Sequence, residues 1–273
     1  MSRLVAEIRL PDPELRREAR GVYGEDPFGY EHGRPDYPPE VFALLTNRCG
    51  LGAGTSVLEI GPGTGRVTGL LLERRATVVG VEPDASLVAY LDKSFSSPNF
   101  QVVGAAFEDA VLADACFDLC VAAMSFHWVD QVRGFRKLLR VVRPNGWVAF
   151  WWTLFEDPSR ADRFVEASRQ VLGKVASAPP TEPVVPFELD VAGWRHAFAE
   201  AGFMDFDAVV VHWEANLDPD QIRAFYGSMI QVRRRPTAER DRILDGLFEL
   251  ARGEFGGVVE RKFVTAMYVA RRP

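Results

Sequence analysis

The stretch Ser56-Val57-Leu58-Glu59-Ile60-Gly61-Pro62-Gly63-Thr64-Gly65-Arg66 limits what this chain can fold into more than any other. Val57, Leu58 and Ile60 are apolar, with β-branched residues among them, as in a buried strand. Three glycines at alternate positions follow. Glycine tolerates positive φ and lets a ligand come close to the backbone. From Val67 onward, with Leu70 and Leu71, the apolar spacing is helical. A strand that breaks through glycines into a helix N-terminus exposes unpaired backbone N–H groups, which suit a polar ligand.

The glycine spacing narrows the ligand. A dinucleotide fingerprint runs G-x-G-x-x-G, and its third glycine lets helix and strand pack closely. Here Gly65 comes one place early, and Arg66 stands where that fingerprint wants glycine or alanine. The G-K-[ST] of a phosphate loop is absent.

A second apolar run, Val78, Val79 and Val81, predicts another buried strand, and Asp84 suits the N-cap of a helix over 85–95. Glu82 closes that strand seventeen positions after Gly65. A carboxylate there can accept both hydroxyls of a ribose. Pro83 shapes the turn beside it. Phe100 to Val103 predicts a third strand, followed by the turn 104–109. A fourth strand over 117–124 runs into Ser125-Phe126-His127-Trp128-Val129-Asp130. Ligands of parallel α/β sheets bind beyond the carboxyl ends of the strands, so His127 lies on the reacting side. It can serve as general base, cofactor contact or structural donor. Trp128 reads as wall. A helix over 131–142 ends at Arg143-Pro144-Asn145-Gly146, a strong turn signal before a fifth strand over 147–152.

Upstream, residues 1–26 are charged and carry Pro11 and Pro13, which predicts a loose arm with a short helix around 14–20. The segment Phe28 to Pro39 is rich in proline and therefore extended. It precedes a helix over 40–48. Its Tyr30, His32, Arg34 and Tyr37 either line a ligand mouth or pack as an ordinary lead-in loop.

The E-x-G-P-G-T-G run resembles the first motif of the class I S-adenosylmethionine-dependent methyltransferases. The F-H-W-x-D segment resembles a small-molecule subgroup of that family, the one that includes trans-aconitate methyltransferase. The R-P-N-G-W turn into strand five is similar to the family's as well, so the resemblance spans about residues 28–150. It implies an α/β fold, a Rossmann-like doubly wound sheet of seven strands ordered 3-2-1-4-5-7-6 with the last strand antiparallel, and helical insertions. It implies S-adenosylmethionine as cofactor, whose methionine part takes the room left by Gly61, Pro62, Gly63 and Gly65 beside Glu59. Glu82 and Pro83 then face the ribose and adenine, with the adenine against the backbone at Ala106 and Phe107. Ala123, near the end of strand four, lies beside the cofactor, and Tyr30 and Arg34 cover it. Many relatives carry Gly-Asp-Ala after strand three. Ala105 replaces that aspartate here, which leaves Glu108, Asp109 or backbone alone to meet the adenine amine.

The second half predicts helices over 157–173, 191–201, 219–231 and 238–252, and strands over 206–216 and 258–271. A proline-rich loop covers 178–186. Phe155, Phe187, Trp194, Phe225, Tyr226 and Met229 are core aromatics and sulfur in the plain reading; together they weakly suggest an apolar acceptor pocket. The chain of 273 residues, 47% hydrophobic, suits a single domain over 1–273: an arm and lead-in over 1–39, a cofactor-binding half over 40–153, and sheet completion with helical lid insertions over 154–273. A net charge of -6 without a broad basic stretch argues against nucleic acid. No window approaches the ~18 apolar residues of a membrane span, and no signal-peptide core is visible. Cys49, Cys116 and Cys120 predict reduced thiols in a cytoplasmic setting and no zinc site. The expected reaction is methyl transfer to a small-molecule acceptor. A nicotinamide-dependent oxidoreductase and a non-catalytic S-adenosyl-ligand binder are the rival readings, and the sequence is silent on oligomeric state.

Overall fold

A computed structural model describes residues 33–173 and 185–273. The arm and the short helix expected in it, Tyr30, His32 and most of the stretch expected to form a proline-rich loop lie outside these residues. The described chain builds a seven-stranded sheet from β1 (Ser56–Ile60), β2 (Thr77–Glu82), β3 (Phe100–Gly104), β4 (Phe117–Ala123), β5 (Val142–Leu154), β6 (Met204–Leu217) and β7 (Val259–Arg271). Their spatial order is β3-β2-β1-β4-β5-β7-β6. The first five strands pair in parallel, and β7 runs antiparallel between β5 and β6. The expected order and the reversed strand are both present.

Neighbouring strand residues feed opposite faces, as the pleat requires. Leu58, Ile60, Cys120 and Phe150 join one buried cluster, while Val57, Val121 and Trp151 join the other. Both faces are covered, so the central strands read as continuous apolar runs. The covering helices are α1 (Pro39–Cys49), α2 (Arg66–Glu73), α3 (Ala85–Ser94), α4 (Gln131–Val141), α5 (Arg163–Leu172) and α6 (Val191–Glu200). Further on come α7 (Pro219–Gly227), the single turn α8 (Ile230–Arg233) and α9 (Thr237–Gly253). A third cluster joins α5, α7 and α9 to the far end of β7 through Phe164, Phe225, Leu247 and Phe263. No helix of the described residues is long and apolar enough to cross a membrane.

Aspartates start several helices. Asp84, Asp130, Asp162, Asp190 and Asp218 each accept a backbone N–H of the first turn, and Asp218 with Gln221 completes a capping box. Each such cap stabilises its helix by about 1 kcal/mol. Three boundaries depart from the sequence expectation. The helix expected from 157 begins at Arg163, because the Asp157 carboxylate is taken by Ser159, Arg160 and His212 and the capping falls to Asp162. The helix expected over 219–231 breaks at Ser228 and Met229 into α7 and α8; Met229 has an extended backbone, with ψ 131°. Strand five begins at Val142, and the Arg143–Gly146 turn bulges out of it, with Asn145 at φ 65°. That bulge shifts the β4–β5 register between Phe117 and Leu119.

Candidate functional site

A cavity of about 490 Å³ opens at the carboxyl ends of β1, β2 and β4, within the size range of small-molecule sites. Of the residues singled out from the sequence, Glu59, Gly61, Pro62, Gly63, Glu82, Pro83, Ala106, Phe107, Ala123, Arg34 and His127 line it. Gly65 is not among the lining residues, and Tyr30 lies outside the described ones.

The three glycines all have positive φ, at 65°, 60° and 87°, but for different reasons of space. A Cβ on Gly61 would come 2.8 Å from Ser125 Cβ, so this glycine lets the end of β4 close onto β1. The Ser125 hydroxyl fastens that approach by donating to the Ile60 carbonyl at 2.5 Å. At Gly63 a Cβ would meet nothing within 4 Å, so the bare backbone faces open cavity. A Cβ on Gly65 would run into the Phe95 ring at 2.2 Å, so this glycine seats the start of α2 against the end of α3. Beside Gly63, the buried Thr64 hydroxyl lines the cavity with no hydrogen-bond partner among the described residues.

Two glutamates stand under this loop. Glu82 Oε2 accepts the Gly63 N–H and Oε1 accepts the Asp84 N–H, both at 3.1 Å, so the carboxylate ties the glycine turn to the start of α3. Each oxygen keeps a further lone pair for a ligand hydroxyl. Burial pushes its pKa up, and the two backbone donors pull it down. Glu59 is more deeply buried and accepts the Thr68 hydroxyl at 2.6 Å. Burial pushes its pKa from 4.5 up to about 7; the Thr68 bond opposes this rise and the neighbouring Glu82 adds to it.

The turn after β3 brings Ala106, Phe107 and Glu108 to the wall. Glu108 accepts the Asp130 N–H at 2.8 Å, linking this turn to the start of α4, whereas Asp109 faces away and pairs with Arg133. At the end of β4, Met124 adopts φ 54°, a left-handed backbone unusual for a long side chain. Such strain concentrates at functional sites. His127 follows in a short 3-10 turn and is buried, and its Nδ1 accepts the Trp152 indole N–H at 2.9 Å. Trp128 and Phe187 flank its ring, with centroids at 4.4 and 5.5 Å.

Across the cavity, Arg34 lies 4.0 Å over the Phe155 ring and donates to the Ser228 carbonyl. Its own carbonyl accepts Arg66 Nη1 at 2.5 Å, so the lead-in segment is clamped onto the N-terminus of α2. Phe155 and Met229 line the outer cavity with Thr153, Ile230 and Gln231, while Trp194, Phe225 and Tyr226 are buried in the core clusters. Thr64, Met124, Thr153, Glu188, Ile230 and Gln231 were not legible as site residues. Thr64 sits inside the glycine motif and could have been found there. The others reach the cavity through strand ends and a distant helical turn that no local pattern marks.

Residues 58–150 match a protein family described as a methyltransferase domain. An uncharacterised methyltransferase of Mycobacterium tuberculosis is 34% identical over 137 residues, covering 50% of this chain and 54% of that protein. The chain thus spans about half the length of the mycobacterial relatives it matches. An uncharacterised methyltransferase of Schizosaccharomyces pombe is 24% identical over 222 residues, 81% of this chain and 83% of its own. Among solved structures, one described as a type II methyltransferase from Anaeromyxobacter dehalogenans has a TM-score of 0.59 at 23% identity, covering 87% of this chain and 97% of that one. The Haemonchus contortus phosphoethanolamine N-methyltransferase 2, in complex with S-adenosyl-L-methionine, has a TM-score of 0.55 at 15% identity, over 92% and 57%. The methyltransferase domain match ends at residue 150, so it covers β1 to β4 and stops within β5.

Proposed function

We propose that this chain is an S-adenosylmethionine-dependent methyltransferase of the class I fold, working as one domain over 1–273 on a small-molecule acceptor. One observation carries the reading. The glycine turn, the strand-end Glu82 and an apolar outer wall converge on one cavity inside a methyltransferase domain. The cavity residues fit the cofactor: bare backbone at Gly63, a Thr64 hydroxyl without a partner among the described residues, and two buried carboxylates opposite a ligand that carries an ammonium and a sulfonium. Gly61, Pro62 and Gly63 with Glu59 would hold the methionine part, Glu82 the ribose hydroxyls, and Ala106, Phe107 and Glu108 the adenine. Bound there, the cofactor supplies a methyl group on a sulfonium whose leaving group is a neutral thioether.

The chain's own task is therefore alignment and exclusion of water. Met124, Thr153, Phe155 and Met229 form the wall where an acceptor would sit, and Arg34 closes one side over Phe155. A small molecule suits a cavity of this size, and the F-H-W-x-D segment resembles that of the small-molecule subgroup that includes trans-aconitate methyltransferase. Three free cysteines fit a reducing compartment such as the cytoplasm.

Calorimetry with S-adenosylhomocysteine and with NAD tests the cofactor, and binding of NAD alone would overturn the reading in favour of an oxidoreductase. Incubation with methyl-labelled S-adenosylmethionine and a metabolite extract, followed by mass spectrometry, tests catalysis. Binding without transfer of label would leave a non-catalytic binder.

A further inference from the structure

We propose that Glu188 is the specificity residue for the methyl acceptor: its carboxylate, set in the cavity wall, binds a protonated amine on that molecule. The identity of the amine as the acceptor rests on the methyl-transfer reading. The amine site itself rests on the geometry of the wall.

Glu188 stands in the 3-10 turn Phe187–Leu189, just before α6. The turn is fixed from two sides. The Trp194 indole N–H donates to the Phe187 carbonyl and the Tyr268 hydroxyl donates to the Glu188 carbonyl, both at 2.8 Å. The Phe187 ring packs against His127 and Trp152, with centroids at 5.5 and 5.7 Å. Glu188 therefore belongs to the β4–β5 end of the cavity. Glu82, which faces the ribose in the methyl-transfer reading, closes β2 on the other side of β1.

Among the described residues, four carboxylates line the cavity: Glu59, Glu82, Glu108 and Glu188. Glu59 accepts the Thr68 hydroxyl, Glu82 accepts two backbone N–H groups, and Glu108 accepts the Asp130 N–H. The Glu188 side chain has no donor from another described residue, only its own backbone N–H. Burial pushes its pKa up, so its charge is poorly solvated. A cation on a ligand offsets that cost through a charge-assisted hydrogen bond.

An anionic molecule finds no such seat. The two arginines of the wall are engaged by the chain itself: Arg34 with the Phe155 ring and the Ser228 carbonyl, Arg66 with the Arg34 carbonyl and Asp36. Met124, Phe155 and Met229 offer apolar surface to the carbon skeleton of an amine. The ammonium is the recognition group and not the methylated atom, because a nitrogen that keeps its proton for Glu188 has no lone pair for the methyl group. The methyl group goes to a second nucleophilic atom of the same molecule.

The test variant is Glu188→Gln. It keeps the shape of a side chain that has no partner to lose, and circular dichroism checks its fold. The first measurement needs no cofactor. Melting curves of the ligand-free protein are taken with phenethylamine, phenethyl alcohol and 3-phenylpropionate at millimolar concentration, which place a cation, a neutral hydroxyl and an anion on the same aryl chain. Phenethylamine is expected to raise the Tm of wild type, the other two are not, and Glu188→Gln should lose the shift. No shift from the amine, an equal shift from the anion, or an undiminished amine shift in Glu188→Gln would overturn the site. Calorimetry with S-adenosylmethionine and S-adenosylhomocysteine separates this site from the cofactor's, since only the former carries a sulfonium. Glu188→Gln should bind both as wild type does. A loss for S-adenosylmethionine alone would assign Glu188 to the sulfonium and overturn the amine site.

The second measurement concerns the acceptor. A metabolite extract is split on a cation-exchange resin at neutral pH, and each fraction is incubated with methyl-labelled S-adenosylmethionine. Label is expected in products of the retained fraction. Glu188→Gln should lower that rate by roughly 10- to 150-fold in dilute extract, the worth of a hydrogen bond to a charged group, and by less in concentrated extract. Label confined to the flow-through, or a Glu188→Gln rate equal to wild type, would overturn the assignment to the acceptor. Absence of S-adenosylhomocysteine binding in the wild type would sink the proposed function and leave the amine shift standing.

Discussion

Glu82 does two tasks with one carboxylate. It braces the glycine turn through the Gly63 and Asp84 N–H groups, and it presents its remaining lone pairs to the cavity. Replacing it removes a charged acceptor from a buried site, so Glu82→Ala is expected to weaken S-adenosylhomocysteine binding by about 1.5–3 kcal/mol, roughly 10- to 150-fold. Calorimetry on the folded variant measures this, with circular dichroism as the check on folding. An unchanged dissociation constant would remove Glu82 from the site. Its place at the cavity was legible because spacing and strand-end position are local properties of the sequence. The hydrogen bond to His127 was not, since its donor Trp152 stands twenty-five positions away, on the neighbouring strand β5.

Among the elements, the turn from β1 into α2 separates packing from binding within three residues. Gly65→Ala would drive a Cβ into Phe95 and to 2.9 Å from Leu91, at φ 87°. Overpacking and left-handed strain together predict a loss of about 2–4 kcal/mol in stability. Gly63→Ala meets nothing within 4 Å and carries only the strain of φ 60°, so its stability loss should be nearer 1–2 kcal/mol. Its new methyl group lies in the cavity and should lower S-adenosylhomocysteine affinity by at least tenfold. Urea unfolding and calorimetry on both variants check the pair; equal stability losses, or a Gly63→Ala protein with normal affinity, would contradict it. The strands and most helix starts were legible because apolar runs and aspartate caps are local. The start of α5 was not. Asp157 looks like a cap in sequence, but its carboxylate is drawn off by Arg160 and by His212 on β6, and only the folded sheet brings these together. The α7–α8 break and its contribution of Met229, Ile230 and Gln231 to the cavity escaped for the same reason: the periodicity of 219–231 runs through it.

For the whole molecule, the buried carboxylates set opposing responses to pH. Burial acts to raise the Asp157 pKa, but hydrogen bonds from His212, Ser159 and Arg160 outweigh it and hold the carboxyl well below its usual 3.8. A depressed carboxylate stabilises the fold above its unfolded pKa, and this contribution is lost as pH falls below about 3.8. Glu59 acts in the other direction. Its pKa is raised from 4.5 to about 7, chiefly by burial, so its contribution is fully present below about 4.5 and is lost as pH rises to about 7. Glu82 is raised in the same sense. Between pH 5 and pH 8 the Asp157 contribution is constant, so this window isolates the cavity glutamates. Glu59→Gln keeps an oxygen for the Thr68 hydroxyl and removes the titration. The variant should match wild type in thermal stability at pH 5 and exceed it by several degrees at pH 8, a difference on the order of a few kcal/mol. Other groups that titrate in the window cancel in the comparison of the two proteins. A cationic ligand would relieve the same buried charge. S-adenosylmethionine should therefore raise the melting temperature of wild type at pH 8 by more than it raises that of Glu59→Gln. Melting curves of the two proteins at pH 5 and 8, with and without S-adenosylmethionine, decide the matter. Parallel pH dependence in both proteins would show that burial does not raise the Glu59 pKa, and that no destabilised charge stands there for a cation to relieve.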